Sequence, residues 1–208
     1  MSNFTCRIQY TSGLFVDLFE KTVGVHFVKP CAPILVLNGN IGYPGKVQTR
    51  DFLRYCSRSW DTVFYIPGTH ELGTKGLDNV GFMRHTVGGL ENVFVLHNEA
   101  MLHRKSDTLF LGTHDDEDWV HTWCKNISPV DSNSVKVAVL SFKPPTNYEH
   151  ITRPSTWIFG NQIGGKQTVY KNGLLTAYNG RGRIDGTNDF TGDKGWSRSA
   201  HLNITQLV

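Results

Sequence analysis

Short apolar runs rich in β-branched and aromatic residues, each stopped by Gly, Pro or Asn, recur along this chain and predict strands. They are Cys6–Thr11, Pro33–Leu37, Thr62–Ile66, Val93–Leu96, Thr108–Leu111, Val135–Leu140, Thr156–Phe159 and Gln167–Tyr170. Weaker signals cover Gly173–Ala177 and Leu202–Val208. Pro33–Leu37, Val135–Leu140 and Thr156–Phe159 are continuously apolar, as expected of strands covered on both faces. Helical spacing is rarer. Val47–Ser59 places Val47, Phe52, Tyr55 and Ser59 on one stripe, with Thr49, Arg50, Arg54 and Arg58 outside it. Leu77–Thr86 predicts a second helix, and Asp116–Lys125 a third through Trp119, Val120 and Trp123. Strands alternating with helices, then a strand-rich final third, predict an α/β domain built on one mixed sheet or two stacked sheets.

Composition agrees with a single globular domain: 208 residues, 39% apolar and 12% aromatic. No apolar run approaches the roughly 20 residues that span a bilayer, and Met1–Arg7 lacks the pattern of a secretory signal. The expectation is a soluble, intracellular and cytoplasmic chain with no membrane partner. Cys6, Cys31, Cys56 and Cys124 form no CxxC pair, so reduced and mostly buried thiols are expected. A net charge of +3 is too small to nominate nucleic acid as a partner. The excess sits at one end: from Gly164 to Val208, Lys166, Lys171, Arg181, Arg183, Lys194 and Arg198 face only Asp185, Asp189 and Asp193. Residues 183–208 read as a Gly-rich arm and a final strand belonging to the same domain as residues 1–182. Long segments of that kind inside compact domains commonly meet something else.

Five segments, each at the C-terminal tip of a predicted strand, carry more specific information. Strand Cys6–Thr11 runs into Ser12, Gly13, Leu14 and Phe15; strand Pro33–Leu37 runs into Asn38, Gly39, Asn40, Ile41 and Gly42. Strand Thr62–Ile66 runs into Pro67, Gly68, Thr69, His70 and Glu71. Strand Val135–Leu140 runs into Ser141, Phe142, Lys143 and a proline pair, and Thr156–Phe159 into Gly160, Asn161, Gln162 and Ile163. In this order they resemble the motifs of the calcineurin-like metallophosphoesterases: Ser-Asp-x-His, Gly-Asp, Pro-Gly-Asn-His-Glu, a strand ending in His, and Gly-His-x-His. Asn179 and Gly180 add a likeness to that family's closing turn, so the resemblance spans roughly residues 7 to 182. It implies a sandwich of two mixed β-sheets flanked by helices, reduced in size, with the site at the strand tips.

Enzymes of that family hold two divalent metals that activate water and clamp a phosphate. By the resemblance, the metal positions here are Gly13, Phe15, Asn40, Thr69, Phe142, Asn161 and Ile163. Asn40, Thr69 and Asn161 offer neutral oxygens, but no carboxylate or imidazole stands at any of the seven positions to offset dehydration of a dication. His70 alone is kept, matching the family's general acid, with Glu71 after it. A proton donor without an activated nucleophile has nothing to assist. The expectation is therefore a vestigial site with no cofactor: a pseudoenzyme acting as a structural or binding component of an assembly. Protein partners are expected, and the particle of a large DNA virus is one such setting. The 17 residues between Phe142 and Gly160, which include Pro144, Pro145 and Pro154, read as a trimmed loop that leaves surface for a partner.

Two alternatives stay open. A phosphoesterase with a relocated metal site would draw on His114, Asp115, Asp116, Asp118 and His121, where the competing reading is an acid-rich helix start favoured by the helix dipole. A metal-free nucleotide or phosphate sensor would use backbone N–H groups at Gly39–Gly42 and Gly68–His70.

Overall fold

The computed structural model describes residues 6–20, 24–73, 78–126, 135–148, 154–181 and 196–204. Most of the Gly-rich arm, residues 182–195, lies outside them, as do residues 205–208 of the expected last strand. Among the described residues, eleven strands form two mixed sheets. The first sheet runs β11-β1-β2-β3-β4, with β1 (Cys6–Thr11), β2 (Ile34–Asn38), β3 (Thr62–Ile66) and β4 (Val93–Val95) parallel and β11 (His201–Ile204) antiparallel at its edge. The second runs β5-β6-β7-β8-β10-β9. Here β6 (Thr108–Thr113), β7 (Lys136–Ser141), β8 (Thr156–Phe159) and β10 (Leu175–Gly180) are parallel, between antiparallel β5 (Glu99–His103) and β9 (Gly164–Val169).

Side-chain alternation explains the stacking. On β2, Ile34 and Val36 join Phe64, Phe110, Leu140 and Ile158 in the layer between the sheets. Their neighbours Leu35 and Leu37 face the opposite way, into a layer with Phe52, Leu53 and Cys56 of α2 (Val47–Ser59) and Val80, Met83 and Val87 of α4 (Asp78–Val87). On the far side, Val137, Val139 and Trp157 meet Val120 and Cys124 of α5 (Glu117–Asn126). Both faces of β2, β3, β7 and β8 are thus covered, which is why their sequences are continuously apolar. Short helices α1 (Gly24–Phe27) and α3 (Thr69–Leu72) complete the set.

Several expectations need correction. The buried stripe of α2 is Thr49, Phe52, Leu53 and Cys56, at i, i+3, i+4 and i+7, whereas Val47 at the first helical position is 53% exposed. Thr49, placed outside by apolarity alone, is fully buried. Strand β5, with the unpatterned sequence Glu-Ala-Met-Leu-His, gave no apolar signal because it is an edge strand with no fully buried residue. Strands β9 and β10 run several residues further toward their glycines than apolarity indicates. Among the described residues no helix is long and apolar enough to cross a membrane, and the four cysteines are unbridged.

Candidate functional site

The parallel strands of both sheets end at one rim, and a bridge between Ser12 and Gly180 ties the sheets together there. The tip of β1 follows the tip of β2 through backbone hydrogen bonds: Gly13 N–H to Gly39 O at 3.0 Å, Phe15 N–H to Asn40 O at 3.0 Å and Val16 N–H to Ile41 O at 2.7 Å. Backbone meets backbone closely enough to demand glycine at two tips. A Cβ on Gly160 would lie 2.0 Å from the Asn38 carbonyl oxygen, and one on Gly68 would lie 2.5 Å from the Asn40 nitrogen. Phe15, Asn40 and Asn161 adopt left-handed φ of 47°, 54° and 51°. Such conformations cost about 1–3 kcal/mol each and cluster at functional sites.

The organising group of this rim is Glu71. Its side chain is fully buried and its carboxylate accepts five hydrogen bonds of 2.5–3.0 Å: from the N–H groups of Asn40, Ile41, Gly42 and Gly68, and from the Tyr65 hydroxyl. Glu71 is the third residue of α3, the position from which a Glu reaches back to its N-cap amide. Here it also gathers the tip of β2, some thirty residues away in sequence. Burial, then the charge and hydrogen bond of Glu71, push the Tyr65 phenol well up, so it remains a donor. Asn79, buried beside it, donates to the Glu71 and Leu72 carbonyls and holds the end of α3. The N–H groups that the sequence offers to a bound phosphate are thus largely taken. Four donate to an internal carboxylate, and that of His70 donates to Asn40 Oδ1 at 2.9 Å.

His70 Nε2 donates to both oxygens of Asp17 at 3.0 Å, and its ring lies edge-on to Phe15 with centroids 5.0 Å apart. Burial would lower the imidazolium pKa; the hydrogen bond and charge of Asp17, with the charge of Glu71, outweigh it and leave His70 raised above 6.5. Burial would likewise raise Asp17, but the His70 bond and charge, with two backbone N–H groups, hold it below 3.8. A raised histidine adds stability that is complete below its unfolded pKa and is lost as pH rises through the folded one. A depressed aspartate adds stability present above its unfolded pKa and lost as pH falls through the folded one. The pair therefore stabilises most between about pH 4 and 6.5. Replacing His70 by Gln is expected to lower the melting temperature more at pH 5.5 than at pH 8.5; an equal loss at both would break the assignment.

The seven positions matched to the family's metals are all at the rim, with different surroundings. Gly13 is buried backbone. Asn40 Oδ1 already accepts from His70 N–H and from the Thr69 hydroxyl at 3.3 Å. Phe142 is 1% exposed, stacks on His114 at 4.9 Å and lies against Gly39, so its ring fills the space between the tips of β2, β6 and β7. Asn161 is exposed, and Ile163 is 55% exposed, its side chain turned to solvent.

Of the residues of the relocated-metal alternative, Asp115, Asp116, Asp118 and His121 line one open pocket with Glu117, Thr146 and Asn147, but their side chains do not converge on a point. His114 is buried and its Nδ1 donates to Pro67 O at 2.9 Å. Asp115 pairs with Lys143 at 2.7 Å. Asp116 caps α5 through Trp119 N–H and accepts from Asn98. Asp118 is exposed, and His121 contacts Glu117 at 3.4 Å. Among the described residues no three His, Cys, Asp or Glu side chains converge as a metal site requires. Asp17 and the fivefold role of Glu71 escaped sequence reasoning; the Glu at the third helical position was the available signal, while the Asp17–His70 pairing spans 53 residues and left none.

No protein-family model and no curated protein matches the sequence. Solved structures do. The phosphopantetheinyl hydrolase of Mycobacterium tuberculosis is 12% identical, with 88% of this chain and 91% of that one covered and a TM-score of 0.57. Protein TT1561 of Thermus thermophilus is 14% identical over 85% and 89% of the two chains, TM-score 0.58. A dimetal phosphatase from Danio rerio is 10% identical over 99% and 100%, TM-score 0.50. At such identities the likeness establishes the fold: two mixed sheets flanked by helices, of metallophosphoesterase type.

Proposed function

We propose that this chain is a non-catalytic member of the metallophosphoesterase superfamily that serves as a structural or binding component of a protein assembly. One observation carries the reading. At the rim where the fold would seat a pair of divalent ions, the aligned positions supply two phenylalanines, an isoleucine, a glycine and three neutral oxygens. One of those oxygens, Asn40 Oδ1, is already engaged by two donors. A dication gives up hydration only for charged or strongly donating ligands, so this donor set does not fit a dimetal centre. The buried ring of Phe142 supports the same reading. The Glu71 clasp counts against a phosphate or nucleotide sensor at the same place, because the amides such a ligand needs are already bonded.

The test is enzymatic and analytical together. Purified protein with added manganese is expected to hydrolyse a generic phosphodiester no faster than a His70→Ala variant, and to carry no stoichiometric transition metal. A manganese-dependent rate clearly above that control would overturn the proposal.

A further inference from the structure

Four strands end the two sheets, and they are not equivalent. β4 is three residues long. β11 has its His201 and Ile204 carbonyls capped by Gln167 Nε2 and Lys136 Nζ. β5 carries Glu99, which Arg84 engages at 2.8 Å. β9 is different. It runs six residues without proline, and its register with β10 sets Lys166 against Tyr178, Gln167 against Ala177 and Val169 against Leu175. Tyr170 N–H donates inward to Leu174 O. By the alternation of an antiparallel ladder, Thr168 and Lys166 also bond inward, while Gly165, Gln167 and Val169 turn their N–H and C=O groups outward. Among the described residues nothing meets those outward groups. Val169, on the inter-sheet face, is 70% exposed, the most exposed large apolar residue described. Lys166 is the one charged side chain on this strand, and natural sheets seldom leave the rest of such an edge uncovered.

We propose that β9 pairs antiparallel with β9 of a second copy of this chain, about a two-fold axis through Gln167. Register and charge select this occupant. Outward-facing residues must pair with one another, and centring on Gln167 gives three such pairs: Gln167 with Gln167 of the other copy, and Gly165 with Val169 twice. The exposed valine then lies over a glycine with room for it, and Lys166 faces Thr168. Centring on Lys166 would set like charges directly opposite, which destabilises a ladder. Centring on Thr168 would push Gly165 against Lys171, in the turn beyond the strand. The resulting contact is isologous and closes as a dimer, joining two six-stranded sheets into one of twelve. It does not depend on whether the rim is catalytic.

Light scattering after size exclusion, from micromolar to hundreds of micromolar protein, is expected to show twice the chain mass. Val169→Pro removes an outward N–H and no ladder bond within the chain, so it should weaken dimerisation at least tenfold while melting temperature and circular dichroism stay close to wild type. A register-specific check uses mild oxidation. Gln167→Cys should cross-link to itself, because directly opposed bonded pairs have Cα atoms about 5.5 Å apart, within disulfide reach. Lys166→Cys should not, because its two copies lie about 8 Å apart. A monomer at every concentration, a dimer indifferent to Val169→Pro, or cross-linking through Lys166→Cys instead would each overturn the pairing.

Discussion

Replacing Glu71 by alanine is expected to destabilise this protein by more than about 4 kcal/mol, enough to leave much of it unfolded. The substitution removes one buried acceptor group but strands four donors, the backbone N–H groups from the tips of β2 and β3, and leaves the Tyr65 hydroxyl only the Gly42 carbonyl at 3.2 Å. Each buried donor left unpaired costs about 1–3 kcal/mol, and relaxation cannot rescue them together. Gly68 and Asn40 are in backbone contact and cannot part without breaking the rim. Glu71→Gln keeps the shape and one carbonyl oxygen, but aims an amide N–H₂ at donors, so an intermediate loss of about 2–3 kcal/mol is expected. Urea denaturation of the two variants measures both. An alanine variant within about 1 kcal/mol of wild type would show that the clasp is ornamental.

The second large effect concerns Phe142. Truncation to alanine is expected to cost about 3–5 kcal/mol, the range for buried aromatic side chains. At roughly 2–4 °C per kcal/mol for a domain of this size, the melting temperature should fall by about 6–20 °C. The ring is buried between Gly39 and the face of His114, and the strand tips around it are tied by backbone bonds that resist collapse into the void. Phe142→Leu retains most of the volume and should lose less than half as much. A near-neutral alanine variant would mean that the rim is open enough to refill with water. On the proposed reading, the same ring that seals the inter-sheet layer stands at the position that the resemblance gives to a metal ligand.

Much of the fold was legible in the chain. β1, β3, β8 and α2 match the ranges read from apolar pattern, because each is either buried on both faces or strongly amphipathic. β5 was invisible because an edge strand buries too little to impose a pattern. Apolarity alone misplaces the face of α2, because Thr49 is buried by its position over the first sheet and not by its polarity. Within the site, the order of the five strand tips was readable and the fold followed from it. The partners of the tip residues were not, because a hydrogen bond between Glu71 and Ile41 or between His70 and Asp17 exists only once separate strands lie side by side.

By itself, then, the sequence determined two things: an α/β scaffold with its rim at the tips of parallel strands, and the residue types standing on that rim. Both are local properties, set by periodicity and by the chemistry of each side chain. Tertiary structure decided what those residues do. It turned the rim's amides onto an internal carboxylate, laid Phe142 between the sheets, turned Ile163 out to solvent and gave Asp115, Asp116 and Glu117 each a different partner. It also left the outer edge of β9 unpaired among the described residues. None of this is encoded in spacing, because each depends on which distant backbone arrives within about 3 Å of which polar atom.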